Sequence, residues 1–216
     1  FLILQPDFGQ ACLILFGWSV VYFVAGAHFL LLLGVAAAAI GLGSFAYTYS
    51  EHFARRIDGF LSPDLDPKTQ LGYATNAIQE GGFFGVGVGE GQVKWSLPDA
   101  HTDFIIAVAA EEYGFVLVGL ILTIYAAIVC ISLARLLRER DVFVRLAGTG
   151  LVCMFGIQAV INIGVAARLL PAKGMTLPFV SYGGSSLIAG GISIGILLAL
   201  TRSRPQRNIA DIFIKG

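Results

Sequence analysis

Four long stretches of this 216-residue chain contain no charged residue at all. They lie at 8–50, 113–134, 146–167 and 174–201. A helix needs about 20 apolar residues to cross a bilayer, so the first stretch is long enough for two crossings and each of the others for one. The pattern predicts an all-α, polytopic transmembrane protein with five spans, near 9–25, 29–49, 105–134, 146–167 and 182–201.

Composition excludes several other classes. Charged residues make up only 13% of the chain and hydrophobic residues 56%, whereas soluble domains carry about 25% charge. Such a chain is too apolar to be disordered. Its 14 basic and 14 acidic residues balance, so no general basic face indicates a nucleic-acid partner. Its three cysteines lie in apolar runs without metal-ligand spacing and are interpreted as packing residues.

Arginines predict the orientation. Four lie between the third and fourth spans and three follow the fifth: Arg135, Arg138, Arg140, Arg145, Arg202, Arg204 and Arg207. The positive-inside rule places both groups in the cytoplasm. The long connection 51–103 then lies on the extracytoplasmic side, with eight acidic and four basic residues. Because long connections without a function are uncommon, the functional site is expected there.

We expect the whole chain, 1–216, to form a single integral membrane domain. Phe1–Leu4 lacks the basic start of a signal peptide. It is interpreted as the end of an earlier helix, so the chain is expected to be part of a larger membrane protein.

Two features stand out inside the long connection. Thr69–Glu80 has Leu71, Ala74 and Ile78 at helical spacing, which predicts a short amphipathic helix at the surface. The glycine-rich run 81–91 is typical either of a phosphate-binding nest or of a membrane-dipping loop whose backbone packs closely. It lacks the lysine and the strand-to-helix context of a nucleotide-binding loop, and close packing is favoured.

Polar residues at the start of the third span are the candidates for chemistry. Asp103 is either a functional carboxylate or the N-cap of the span. His101, two residues earlier, is the competing base because its pKa suits neutral pH. Glu111 and Glu112 follow within the same helix, near the membrane surface, where unpaired carboxylates are costly and usually have a role.

Several segments together resemble the SEDS family of bacterial shape, elongation, division and sporulation proteins. They are 4–9 (LQPDFG), 85–89 (GVGVG), 97–105 (LPDAHTDFI), 111–114 (EEYG) and 170–186 (LPAKGMTLPFVSYGGSS). They run nearly end to end in the family's order. The stretch 173–178 is closer to the family's division member than to its elongation member. Ala74 and Ala172 depart from the family's usual residues, which affects fine substrate contacts and not the family.

The resemblance implies the last five spans of a ten-span peptidoglycan glycosyltransferase. Such an enzyme polymerises lipid II at the division septum of the bacterial inner (cytoplasmic) membrane and releases undecaprenyl pyrophosphate. The implied partners are membrane lipids, a class B penicillin-binding transpeptidase and other division proteins.

The resemblance assigns the catalytic residue, and the charge, position and size of other side chains predict the substrate-binding ones. Asp103 matches the catalytic aspartate. The predicted substrate-binding residues are Lys173, His101, Arg56, Lys94, Glu112, Ser181, Gly183 and Gly184. The acidic connection suggests that a divalent cation, Mg²⁺ or Mn²⁺, helps to bridge the pyrophosphate.

Two other functions stay open on the residues alone. A lipid II flippase is suggested by Gln158, Asn162 and Arg168, because polar residues within spans often mark a transport pathway. A non-catalytic scaffold for division proteins is suggested by the size of the connection 51–103.

Overall fold

The fold comes from a computed structural model, which describes residues 8–62, 69–171 and 174–202. Seven α-helices and one short 3-10 helix make up the regular structure of these residues. They are α1 (Phe8–Val24), α2 (Phe29–Tyr49), α3 (Glu51–Leu61), α4 (Gln70–Gly81), the 3-10 helix (Val93–Trp95), α5 (Ile105–Leu136), α6 (Val142–Ala166) and α7 (Gly184–Thr201).

Four of these helices are long and apolar enough to cross a membrane. They are α2, α5, α6 and α7, and the apolar stretch Gly9–Val24 in α1 is shorter. These helices begin and end within four residues of the predicted spans. The predicted all-α, polytopic membrane fold is confirmed.

Short polar side chains cap the N-termini of three helices, α3, α4 and α6. The hydroxyl of Ser50 accepts a hydrogen bond from Phe53 N at the start of α3, and that of Thr69 accepts one from Gly72 N at the start of α4. Asp141 caps α6 through Phe143 N and Val144 N. Each cap satisfies amide groups that have no partner within the helix.

The predicted long connection contains two α-helices and the 3-10 helix, and part of it belongs to the core. In α4, Ala74 and Ala77 are fully buried, and Leu71 and Ile78 pack against the same cluster as Phe104 and Ala107 of the next segment. The sequence predicted α4 as a helix at the surface. In the structure it also packs along α5. Its small residues allow that close approach.

Helix α6 is the centre of the bundle. It contacts α1, α4, α5 and α7, and half of the residues in its most apolar part are buried within the protein. In the most apolar part of α2 no residue is buried, and α2 packs mainly against α3. Helices α5 and α6 therefore form the frame that holds the loops at their ends.

Helix α5 is interrupted at Gly114, where the glycine-rich run 81–89 packs into it. Gly114 has φ 73° and ψ −173°, outside the helical region. Phe115 N and Val116 N donate instead to the carbonyls of Gly82 and Phe83, at 3.0 and 3.3 Å. A Cβ on Gly114 would lie 2.3 Å from the Phe83 oxygen, so only glycine fits.

Three further hydrogen bonds decide whether the glycine-rich run is a phosphate-binding nest or a closely packed loop. The amides of Gly85, Val86 and Gly87 donate to the carbonyls of Gly81, Glu111 and Glu112, at 2.7 to 3.2 Å. These amides are used within the protein and do not form a free phosphate-binding nest. The predicted closely packed loop is what the structure shows, since these three amides bond to backbone carbonyls of the protein.

Candidate active site

The turn that precedes α5 presents Asp103. The carbonyl of Asp99 accepts hydrogen bonds from Thr102 N, Asp103 N and Phe104 N, at 3.1 to 3.3 Å. The Thr102 hydroxyl donates to the same carbonyl at 3.1 Å. Phe104 is the N-cap of α5, and no side chain caps this helix. The interpretation of Asp103 as a helix cap is therefore not supported, and its carboxylate is available for another role.

The carboxyl group of Asp103 lies in a partly buried place against a neighbouring loop. Burial raises its pKa, and the charge of Asp99 raises the pKa further. A Cβ built on Gly174 would lie 3.1 Å from Oδ2, so the carboxylate sits close against the backbone there. A raised pKa makes this carboxylate a better base than an aspartate in water.

Three consecutive carbonyls of the turn are held by hydrogen bonds from distant parts of the chain. Tyr182 N donates to the His101 oxygen at 2.9 Å. The hydroxyl of Ser181 donates to the Thr102 oxygen at 2.5 Å, and Asn162 Nδ2 donates to the Asp103 oxygen at 3.0 Å. The turn is thereby joined to α6 and to the segment 174–183, which we call the α6–α7 loop.

The α6–α7 loop is itself fixed by polar side chains of the bundle. Asn162 Nδ2 also donates to Met175 O at 2.6 Å, and Gln158 Nε2 donates to Thr176 O at 3.1 Å. The phenol of Tyr125 donates to Pro178 O. Met175 and Leu177 are buried, so the loop is anchored by apolar contacts as well.

An open groove of about 610 Å³ lies beside the turn. Its lining comes from the turn, the loop and the start of α7: His101, Ile105, Phe179, Val180, Ser181, Tyr182, Gly183, Gly184 and Leu187. Four predicted substrate-binding residues, His101, Ser181, Gly183 and Gly184, therefore lie together. The lining is mostly apolar with a polar edge, which suits a lipid-linked ligand.

The hydroxyl of Ser181 is already occupied within the protein. It accepts a hydrogen bond from Leu177 N at 2.8 Å while it donates to Thr102 O. Ser181 is buried, whereas the His101 side chain is exposed. Ser181 thus shapes the groove through the loop, and His101 and Tyr182 are the exposed ionisable side chains of the lining.

Two other predicted substrate-binding residues are paired with each other. Lys94 and Glu112 form an ion pair, and Lys94 Nζ lies 5.4 Å from the centre of the Trp95 ring. No hydrogen bond or ion pair of the described residues joins this pair to Asp103 or to the groove. The structure therefore gives Lys94 and Glu112 a role in holding the 3-10 helix against α5.

The sequence did not predict a fixed role for Glu111, which the structure shows clearly. Its side chain is fully buried and accepts hydrogen bonds from Val93 N at 2.8 Å and Lys94 N at 3.1 Å. The sequence did indicate a role for it, as a carboxylate within an apolar span, but not which role. The partners could not be predicted, because they lie 17 and 18 residues away in a segment without regular periodicity.

Two predicted cations lie outside what the structure describes. Lys173 falls in the gap at 172–173, and the side chain of Arg56 is likewise outside the described part. Gly174, the next residue after Lys173, faces the Asp103 carboxylate. Within the described residues, no group of three histidine, cysteine, aspartate or glutamate side chains could hold a metal ion.

The described residues form a bundle with membrane-spanning helices, and the turn before α5 carries a partly buried carboxylate and contributes His101 to an open groove; this defines a polytopic membrane protein with a candidate site at one end of its helices. The family model described as cell cycle protein, FtsW/RodA/SpoVE, matches residues 1–206. The chain belongs to this family, and the resemblance found in its sequence is confirmed.

Relatives and solved structures agree with the family. The chain is 43% identical over 205 residues to the probable peptidoglycan glycosyltransferase FtsW of Caulobacter vibrioides, covering 94% of this chain and 52% of that protein. A chain from a structure described as structural coordination of polymerization and crosslinking by a peptidoglycan synthase complex matches with a TM-score of 0.75 and 36% identity. That match covers 95% of this chain and 58% of the other.

The fold is also similar to the rod shape determining protein RodA of Thermus thermophilus, solved as a point mutant. The TM-score is 0.62 at 31% identity, and the match covers 94% of this chain and 53% of RodA. The chain spans about half the length of the curated relatives it matches.

Proposed function

We propose that the protein containing this chain is a peptidoglycan glycosyltransferase that polymerises lipid II during septal cell-wall synthesis. The observation that carries the proposal is the placement of Asp103, whose partly buried carboxyl group lies in the turn before α5, between His101 and Ile105, two residues that line the open groove. The similarity to FtsW relatives supports the same reaction class.

The reaction needs a base at the acceptor sugar. The 4-hydroxyl oxygen of one lipid-linked disaccharide attacks the anomeric carbon of the other, and the bond from that carbon to the pyrophosphate breaks. Asp103 accepts the hydroxyl proton, and its negative charge stabilises the developing sugar cation. Undecaprenyl pyrophosphate leaves with the bonding electron pair.

The remaining site residues are assigned to substrate binding. The groove takes a lipid-linked substrate, with His101 as a polar residue of its lining and Gly183 and Gly184 as lining residues without side chains. Lys173 and Arg56 are the cations for the pyrophosphate. A divalent cation, if used, would bind mainly through pyrophosphate oxygens, since the described residues offer no three-ligand cluster.

The partners and location follow from the same proposal. A class B penicillin-binding transpeptidase would crosslink the new glycan strand, and the similarity to a synthase complex supports such a partner. The protein would act with other division proteins at the septum of the inner membrane, with the connection 51–103 outside.

No specific observation favours the flippase. Two of the polar residues that suggested a pathway, Gln158 and Asn162, donate hydrogen bonds to the α6–α7 loop and the Asp103 turn. The third, Arg168, donates to Ser62 O at 2.6 Å. These side chains hold loops together, and the carboxylate lies at the helix mouth rather than at midspan.

The test is Asp103→Asn in the full-length protein, assayed with purified lipid II. Asparagine is nearly isosteric, so folding and membrane insertion should change little. It cannot accept the proton, and loss of a general base costs about 10²- to 10⁴-fold in rate. We expect glycan polymer to fall to background at matched protein levels.

His101→Ala is the matched comparison. If His101 were the base, this variant would be inactive and Asp103→Asn would still polymerise. If the protein were a flippase or a scaffold, neither change would remove a polymerase activity. An Asp103→Asn protein that polymerises lipid II at the wild-type rate would refute the proposal.

A further inference from the structure

We propose that Asn162 is a positioning residue for Asp103, whose side-chain amide fixes the catalytic turn against the α6–α7 loop. The inference rests on the proposed function, because it assigns Asn162 a role in the same site. It concerns a residue that touches the main chain of the catalytic aspartate and not the reacting atoms.

The geometry places one nitrogen between the two segments that form the site. Asn162 Nδ2 donates to Asp103 O at 3.0 Å and to Met175 O at 2.6 Å. A primary amide has two N–H groups, so a single side chain can make both bonds. The residues it joins are 59 and 13 positions away in the sequence.

The burial of Asn162 makes this connection rigid. Only 1% of the residue is exposed, and it lies on α6, the most buried helix of the bundle. Its neighbours Ala159 and Val165 are buried as well. A side chain held this way cannot change rotamer without displacing its neighbours, so its two acceptors are held at a fixed separation.

If Asn162 served only to fill space in the core, one feature would be unexplained. Oδ1 of Asn162 is buried and has no partner among the described residues. Buried polar atoms are normally paired, so an unpaired amide oxygen is destabilising. An apolar side chain would fill the same space without an unpaired oxygen. A side chain that must supply two N–H donors is an amide, and an amide carries this oxygen as well.

The position of this bond in the turn makes it the one that acts on Asp103. Tyr182 N and the Ser181 hydroxyl hold the two preceding carbonyls, of His101 and Thr102. Asn162 holds the carbonyl of Asp103 itself, and it does so from the helical frame rather than from the loop. Small displacements of a catalytic group lower rates strongly, about 10²-fold for 1 Å.

The experiment measures lipid II polymerisation by the full-length protein with Asn162→Leu and Asn162→Ser. Leucine has a similar volume and no donor, and serine keeps one hydroxyl donor. We expect kcat to fall about 10²-fold for leucine and less for serine, because part of the positioning is lost. KM should stay within about twofold, since no group that touches substrate is changed.

Gln158→Leu is the matched control. Gln158 lies one turn earlier on α6 and donates to the same loop, at Thr176 O, but not to the Asp103 turn. The Gln158→Leu substitution removes a hydrogen bond from a side-chain amide to the loop but leaves Asp103 in place. We therefore expect kcat to fall less than about threefold. All rates are normalised to folded protein, measured by size exclusion and thermal denaturation.

The pH at which activity falls on the acid side of the pH–rate profile is a second measurement. A smaller amount of folded protein lowers the rate at every pH but does not move this acid limb. Released from its partly buried place, the Asp103 carboxyl should lose some of its raised pKa, so the limb should move to lower pH. Among the described residues of the turn, the other ionisable groups are Asp99 and His101, and neither variant alters them. On α6, the facing side chains Asn162 and Gln158 are uncharged.

The outcomes separate the two proposals. If Asp103→Asn polymerises normally, the proposed function fails. If Asp103→Asn is inactive but Asn162→Leu and Asn162→Ser match Gln158→Leu in kcat with an unmoved acid limb, only the positioning role fails. If Asn162→Leu does not accumulate, Asn162→Ser alone decides by the same criteria.

Discussion

At the scale of single residues, the surroundings of Asp103 raise the pKa of its carboxyl group, which would suit the role of base proposed for it. Burial is the main cause of its raised pKa, and the charge of Asp99 is the second. Asp99 also organises the turn through its carbonyl, at a positive φ of 56°. One residue therefore both shapes the turn and increases the basicity of its neighbour.

This arrangement predicts how activity depends on pH. Asp103 must be ionised to act as a base, so kcat should fall as the pH drops below its pKa. Since that pKa is raised, the fall should occur at higher pH than for an aspartate in water. In Asp99→Asn the second cause is removed while burial remains, and the acid limb should therefore move to lower pH.

Asp99→Asn is a suitable variant because asparagine tolerates positive φ and keeps an oxygen for Gln70 Nε2, which lies 3.5 Å from Asp99 Oδ2. The measurement is the pH–rate profile of lipid II polymerisation in the full-length protein. Glu90→Gln removes an exposed carboxylate of the same connection and should leave the limb in place. An acid limb unmoved by Asp99→Asn would contradict the assignment of that limb to Asp103.

At the scale of elements, the interruption of α5 is the feature that joins the connection 51–103 to the membrane bundle. The run 81–87 takes over amide and carbonyl groups that the broken helix leaves free. Glu111 then holds the 3-10 helix from the same region of α5. Segments without regular structure are thereby fixed to the helix that begins two residues after Asp103.

Gly114→Ala should destabilise the protein. Its Cβ would lie 2.3 Å from Phe83 O, at a φ of 73° that alanine rarely adopts. Strain of this kind costs about 1–3 kcal/mol, and the close contact adds to it. We expect a lower midpoint of thermal denaturation in detergent, together with reduced polymerisation.

Gly119→Ala provides the control on the same helix. A Cβ at Gly119 would meet nothing within 4 Å. Alanine favours the helical conformation over glycine, so this variant should be as stable as the wild type or slightly more so. Equal denaturation midpoints for the two variants would contradict the role assigned to the interruption of α5.

At the scale of the whole molecule, the site is assembled at one end of the bundle. Asp103 precedes α5, Asn162 lies in the last turns of α6, and the α6–α7 loop precedes α7. The arginine-rich connection between α5 and α6 lies at the opposite end. The positive-inside rule then assigns the site to the extracytoplasmic face.

This orientation is testable with single cysteines in a background where Cys12, Cys130 and Cys153 are replaced by serine. Glu90 and Arg138 are both exposed, on opposite sides of α5 in the sequence. Glu90→Cys in intact cells should react with a membrane-impermeant thiol reagent, and Arg138→Cys should react only after permeabilisation. The reverse pattern would overturn the orientation and the proposed access to lipid II.

The sequence by itself determined the helical membrane architecture. A span is defined by a local property, about 20 apolar residues without charge, so its limits can be read without knowing what it packs against. The boundary of α2 was predicted to the residue, Phe29 to Tyr49. The motif around Asp103 pointed to the site through its resemblance to a family, since the residues alone left a helix cap and His101 as alternatives.

Only the tertiary structure decided how those residues are used. It paired Lys94 with Glu112, occupied the Ser181 hydroxyl and placed Asn162 between Asp103 and Met175. It also broke α5 at Gly114, within a segment that the sequence predicted as one continuous span, 105–134. These outcomes depend on hydrogen bonds between groups up to 79 residues apart, and a local pattern of hydrophobicity carries no information about such partners.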